Sequence, residues 1–143
     1  MNKIALLCLF FISLPAYCEV SVEVLCFTSD GGRPVRFEMR TYYDDQAKWS
    51  GGFVKYEKSK IAIPIVLSSS SEQSFDKNSP SLATSNWLEI SDGKIAGEYE
   101  MVSQGASVSS MIYMNRNTKK PFYFSLDFNA DSSVENGCRW KEK

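Results

Sequence analysis

An all-β fold, a single antiparallel sandwich or barrel of about eight strands held by one disulfide, is the class this sequence predicts. Three observations predict it. Apolar and polar side chains alternate with period two along most of the chain, and no window shows helical periodicity. Turn signals recur at short spacing, two of them Asp-Gly pairs at Asp30-Gly31 and Asp92-Gly93. Beyond an apolar N-terminal segment the chain keeps two cysteines, Cys26 and Cys138, one near each end.

The first element is a leader. Lys3 supplies a positive start, residues 4–14 form an apolar run too short to span a bilayer, and Pro15 breaks it before a small-residue site. Residues 1–18 are therefore expected to be a signal peptide, with residues 19–143 as one domain. Ala16 and Cys18 fit the small positions of a cut that leaves Glu19 first; a cut after Ala16 is the alternative and keeps Cys18. A lipid anchor on Cys18 is disfavoured, because Tyr17 stands where such sites take a small residue. The expected location is the periplasm, where an even cysteine pair reads as a disulfide, Cys26 to Cys138. A bridge closing so long a loop stabilises by about 4–5 kcal/mol in the chain-entropy treatment.

The strands follow in order. In "VSVEVLCFT" Val20, Val22, Val24 and Cys26 share a face, and "SDGG" leads as a tight turn into "RPVRFEMRTYY". There Val35, Phe37, Met39, Thr41 and Tyr43 alternate with Arg36, Glu38 and Arg40, the pattern of a strand apolar inside and charged outside. "FVKYE" and "IAIPIVL" flank a turn at "KSK", and Pro64 places an edge or bulge in the second of them. "NWLEI" and "IAGEYEMVS" flank the second Asp-Gly turn, and "SVSSMIYM" and "PFYFSLDF" flank "NRNTKK". In the last strand Phe122, Phe124, Leu126 and Phe128 share the face expected in the core. "CRWK" is expected to pair beside the first strand if the two cysteines are bridged. One segment breaks the rhythm: "SSSSEQSFDKNSPSLATS" (68–85) reads as a long polar surface loop, either functional or disordered.

Composition excludes several classes of function. The chain has no histidine, which removes Ser-His-Asp and Cys-His nucleophiles, HExxH zinc sites and histidine proton shuttles. No GxSxG, P-loop or GxGxxG motif occurs. Without Lys3 there are fifteen basic against seventeen acidic side chains, and no basic stripe of the kind nucleic acid requires. Past the leader no segment is apolar enough to span a membrane. Two thiols without histidine make no ordinary zinc site, and no cofactor is expected. A paired-carboxylate glycosidase needs only Asp and Glu, and Glu98 with Glu100, or Asp44 with Asp45, offer such pairs. Carboxylates at alternate strand positions are, however, the solvent face of a half-buried sheet. The protein is accordingly read as non-catalytic.

The most contact-like stretch is Tyr42, Tyr43, Asp44, Asp45 and Trp49, since exposed tyrosine and tryptophan anchor interfaces. Trp49 is also readable as a plug over one end of the β-structure, and that reading is preferred. Ser70, Ser71 and Glu72 of the polar segment are the second set of candidate partner-binding residues.

The cysteine-bearing ends, "EVLCFTSDGGRPVRFEM" and "NGCRWK", resemble those of the bacterial periplasmic inhibitors of c-type lysozyme. In size and address the chain also resembles immunity proteins against peptidoglycan-degrading toxins. The serine-rich "SASGARY"-like segment and the tryptophan-lysine-glycine segment of the lysozyme inhibitors are not present; "SSSSEQ" lacks the residues that follow, so no inhibitory residue carries over. The resemblance implies a secreted β-domain that binds another protein, such as a lysozyme-like or other peptidoglycan hydrolase. The alternative is an envelope-associated structural or glycan-binding β-module.

Overall fold

The computed structural model describes residues 19–141; the leader, Cys18 and both cleavage readings lie outside the described residues. Ten strands follow in chain order. The first eight are β1 (Val20–Thr28), β2 (Arg36–Asp44), β3 (Trp49–Tyr56), β4 (Ile63–Gln73), β5 (Leu82–Ser91), β6 (Lys94–Gln104), β7 (Ser107–Asn115) and β8 (Pro121–Leu126). A short pair, β9 (Asp131–Ser133) and β10 (Gly137–Arg139), completes them. Each of β1 to β8 pairs antiparallel with its neighbour in sequence, and β8 returns to β1, so the eight close into an up-and-down barrel. Closure removes the free edges that an open sheet would expose.

The core fills the barrel. Phe27, Phe37, Met39, Val54, Tyr99 and Met111 are fully or almost fully buried, and Trp87 and Phe124 nearly so. Phe37 sits at the centre, its ring 5.1 Å from Phe27, 4.8 Å from Phe124 and 5.7 Å from both Tyr56 and Tyr99. Burial of these large rings is the main stabilising term, at roughly 25 cal/mol per Å² of apolar surface removed from water.

Closure is narrow. Only Phe27 with Leu126 and Thr28 with Ser125 pair across the β1–β8 seam, extended by the Asp127 N–H donating to the Cys26 carbonyl at 2.8 Å. Beside this seam the β9–β10 hairpin lies against the outer face of β1 and β2. The Cys26–Cys138 disulfide joins it to β1 with Cα atoms 5.7 Å apart, spanning 112 residues of sequence. Glu38 is the other fastening: its carboxylate accepts the Cys138 N–H at 2.8 Å and pairs with the Arg40 guanidinium at 2.9 Å, while Arg40 donates to the Val134 carbonyl at 2.9 Å.

Several expectations are corrected. The face shared by Val20, Val22, Val24 and Cys26 is kept and is the outer one: the inward face of β1 carries Leu25 and Phe27, and Cys26 lies beneath the hairpin to which it is bridged. "SDGG" is not a tight turn: Thr28 pairs with Arg36, and Ser29 and Val35 close a wider loop through the Ser29 N–H to Val35 carbonyl bond. The Asp92-Gly93 turn is a two-residue hairpin, both residues at positive φ between paired Ser91 and Lys94. "CRWK" pairs with β9 and not with β1. Of the four last-strand residues, Phe124 is buried and Leu126 half-buried, whereas Phe122 is exposed and Phe128, beyond the strand end, is 84% exposed. The segment 68–85 is largely strand. β4 runs to Gln73 and β5 begins at Leu82, paired from Ser69–Asn86 to Gln73–Leu82, which leaves 74–81 as the connection. Serine's polarity suggested a loop, but two neighbouring chains satisfy the same backbone groups as a ladder. Pro64 stands where the missing N–H costs nothing: it pairs with Phe53 of β3, while pairing with β5 starts only at Ile65.

Candidate functional site

One end of the barrel carries the β2–β3 turn, the β4–β5 connection and the β6–β7 turn; the opposite end carries the β1–β2 loop, the β3–β4 connection and the β5–β6 and β7–β8 turns. The residues singled out from sequence fall at the first end.

In the β2–β3 turn the Asp44 carboxylate accepts the Gln46 and Ala47 N–H groups, both at 2.9 Å, an arrangement that shapes the turn before Lys48 adopts a positive φ. Asp45 accepts from Lys48 Nζ at 2.6 Å and from the Tyr43 hydroxyl at 3.1 Å. Those two bonds, the lysine's first, hold its carboxyl below the usual range. Tyr42 lies opposite Gly51 and Asp44 opposite Trp49. Trp49 does not plug the barrel. It belongs to the outward phase of β3, opposite to buried Val54, and its ring lies over Gly51, where a side chain would collide with it. It is 52% exposed and continues an outer stripe through Phe53, which carries the Arg40 guanidinium 5.4 Å from its ring centre, to exposed Val66 of β4.

Ser70, Ser71 and Glu72 lie on the part of β4 that extends with β5 past the last β3–β4 pair, Gly51–Val66, and all three are exposed. A bulge between Leu67 and Ser69 shifts the phase, so that Ser70 and Glu72 face as Ser85 and Ala83 do, and Ser71 faces the other way. The structure therefore brings the two candidate sets to one end of the barrel as two separate features, an aromatic turn and a polar β4 edge whose neighbour β5 pairs onward with β6. Glu98 and Glu100 stand exposed on β6, and among the described residues no three His, Cys, Asp or Glu side chains are grouped to hold a metal. No helix of the described residues is long and apolar enough to cross a membrane.

A second polar constellation, not singled out from sequence, lies inside the barrel. Glu89 of β5 is buried, and both its oxygens are engaged: Tyr99 donates to Oε2 at 2.7 Å and Tyr113 to Oε1 at 3.2 Å. The Tyr56 hydroxyl lies 3.2 Å from that of Tyr99. Gly97, opposite Glu89, has no side chain because the Tyr113 ring occupies its place. Burial, followed by the charge of Tyr56 and Glu89, drives the Tyr99 phenol far above its ordinary value. Burial and then Glu89 push Tyr113 up to about 12, and burial raises Tyr56, with the Tyr99 hydrogen bond opposing it. Tyr56 and Tyr113 also form part of the wall of a cavity of about 560 Å³ at the second end, between the β1–β2 loop and β8.

The chain matches no family model, no curated protein and no solved structure.

Proposed function

We propose that this is an exported, non-catalytic protein that binds a partner protein and blocks it, the partner being a lysozyme-like or other peptidoglycan hydrolase. The observation that carries this reading is the half-exposed Trp49, set on a rigid strand over Gly51 and continuous with Phe53 and Val66. A large apolar ring fixed in place on a paired strand loses little entropy on binding, which is what an interface anchor requires. The serine-bearing β4 edge at the same end supplies exposed hydroxyls suited to a polar cleft. Glu72 adds negative charge there, complementary to a basic partner surface.

The test is lysis of purified peptidoglycan by a c-type lysozyme and by a panel of other peptidoglycan hydrolases, with the protein in stoichiometric excess. Inhibition of one panel member, weakened at least tenfold by Trp49→Ala, is the expected result. No inhibition and no complex with any member overturns it. The same Trp49 ring face suits stacking on a sugar, so retention on peptidoglycan itself, without enzyme inhibition and lost in Trp49→Ala, selects the glycan-binding reading.

A further inference from the structure

The cavity at the other end of the barrel has a chemistry of its own, independent of the Trp49 surface. Its volume, about 560 Å³, lies within the range that holds a small molecule. It opens where the barrel is thinnest: β1 ends at Thr28, pairing with β8 only through Leu126 and Ser125, so Pro121 to Phe124 have no strand on that side. Tyr56, Tyr113, Phe122, Tyr123 and Phe124 form its aromatic wall, and Ser29 and Asp30 line its rim. Lysine and arginine do not contribute to that wall.

The hydroxyl protons of Tyr56 and Tyr113 are directed inward. A carboxylate only accepts hydrogen bonds, and a phenol has a single proton to give. Tyr99 gives its proton to Glu89 Oε2, and Tyr113 gives its own to Oε1. With the Tyr99 proton committed, the 3.2 Å contact between Tyr56 and Tyr99 is made with Tyr56 as the donor. The buried acid thus fixes the direction of three hydroxyls, and what Tyr56 and Tyr113 retain is acceptor capacity. Acceptor oxygens, ring faces and the Asp30 carboxylate together favour a positive donor, since ring faces attract cations and an unpaired anion in such a wall finds no counter-charge.

We infer that this cavity binds a small organic cation, an ammonium group carried on an aromatic or alkyl body, with the ammonium donating to the wall tyrosines and the body packed against Phe122 and Phe124. A ligand with a carboxylate in the same position meets the lone pairs of Tyr56 and Tyr113 and the charge of Asp30, and binds more weakly.

The experiment is calorimetric titration of the purified, disulfide-bonded protein with three matched probes: 2-phenylethylammonium, 2-phenylethanol and 3-phenylpropanoate. The ammonium is expected to bind most tightly and the carboxylate at least tenfold more weakly than the ammonium. Tyr113→Phe, which removes one acceptor, is expected to weaken the ammonium about tenfold. Phe122→Ala, at an exposed position, is expected to weaken it with the melting temperature unchanged. Glu89→Gln is the decisive variant, because its amide nitrogen donates to one of the two tyrosines and frees a hydroxyl proton of the cluster to turn outward. In a variant shown by circular dichroism to be folded, the ammonium-to-carboxylate affinity ratio should fall at least tenfold. Equal binding of carboxylate and ammonium by the wild type overturns the inference, as does absence of ammonium binding at millimolar concentration. A ratio unchanged in folded Glu89→Gln overturns it as well.

Discussion

Glu89 decides the polarity of the barrel interior. A buried carboxylate is tolerated only when hydrogen bonds replace its water, and here two phenols do so, with Tyr56 bonded in turn to Tyr99. Replacing Glu89 by Ala leaves the Tyr99 and Tyr113 hydroxyls without their acceptor and opens a void beside them. The expected loss is about 2–4 kcal/mol, read by urea denaturation, and a change under 0.5 kcal/mol contradicts the account. The same cluster predicts alkaline behaviour. Tyr99, Tyr56 and Tyr113 hold their protons more tightly folded than unfolded, so above the ordinary phenol value near 10 the unfolded chain loses protons first. The stability these groups contribute is complete below pH 10 and declines as pH rises toward their folded values. A melting temperature measured from pH 8 to 12 should stay level to about 10 and then fall, and the Tyr56→Phe/Tyr113→Phe double variant should fall less steeply. None of this was legible in the sequence. In "NWLEIS" the apolar residues Leu88 and Ile90 suggest one inward phase and Trp87 the other, and the structure takes Trp87 inward, with Glu89 following two residues on. An acid in phase with a buried tryptophan is the signal that sequence offered.

At the scale of elements, the alternation of apolar and polar residues located the barrel strands because each has one face in the core, and period two records that fact directly. It was least informative where neither face is buried. β4 beyond Leu67 is exposed on both sides and its serines have no phase to read, so strand resembled loop. At Cys26 the two faces are hard to tell apart for the opposite reason: a small hairpin covers the outer one, so both faces of β1 are buried there. The hairpin depends on close approach. Gly137, at φ 69°, leaves room for the Glu38 carboxylate, which a Cβ would strike, and Glu38 in turn holds the Cys138 N–H. Gly137→Ala therefore strains the backbone and displaces Glu38 together. It should cost about 2–3 kcal/mol, whereas Gly93→Ala, strained by its φ of 70° but with open space around it, should cost less. Chemical denaturation of the two variants side by side checks the order.

On the scale of the whole molecule, the barrel is a ribbon of seven ordinary hairpin pairings closed by an eighth that has two residue pairs. Resistance to opening is unevenly distributed: β5–β6 has ten residue pairs and β1–β2 nine, against four for β7–β8 and two for β1–β8, so the β1–β8 closure is the place to open first. The disulfide bears on that place. Cys26 is the residue before Phe27, the first seam partner, and its bridge ties the chain that leaves β8 back onto β1. With the cysteines 112 positions apart in sequence, the bridge restricts the unfolded chain by about 4–5 kcal/mol, of which strain and residual unfolded structure remove part. Cys138→Ser should therefore lower stability by about 2–4 kcal/mol, a drop of roughly 10 °C in melting temperature for a domain of this size. Its location is the sharper test. In hydrogen exchange, amides of β8, of β9 and β10 and of the second half of β1 should lose protection well before those of β5 and β6. Because the cavity wall includes Phe122 and Phe124 of β8, ammonium binding should weaken in the same variant. Uniform loss of protection around the barrel would mean that the seam is no weaker than the rest, and that the staple acts only on the unfolded chain.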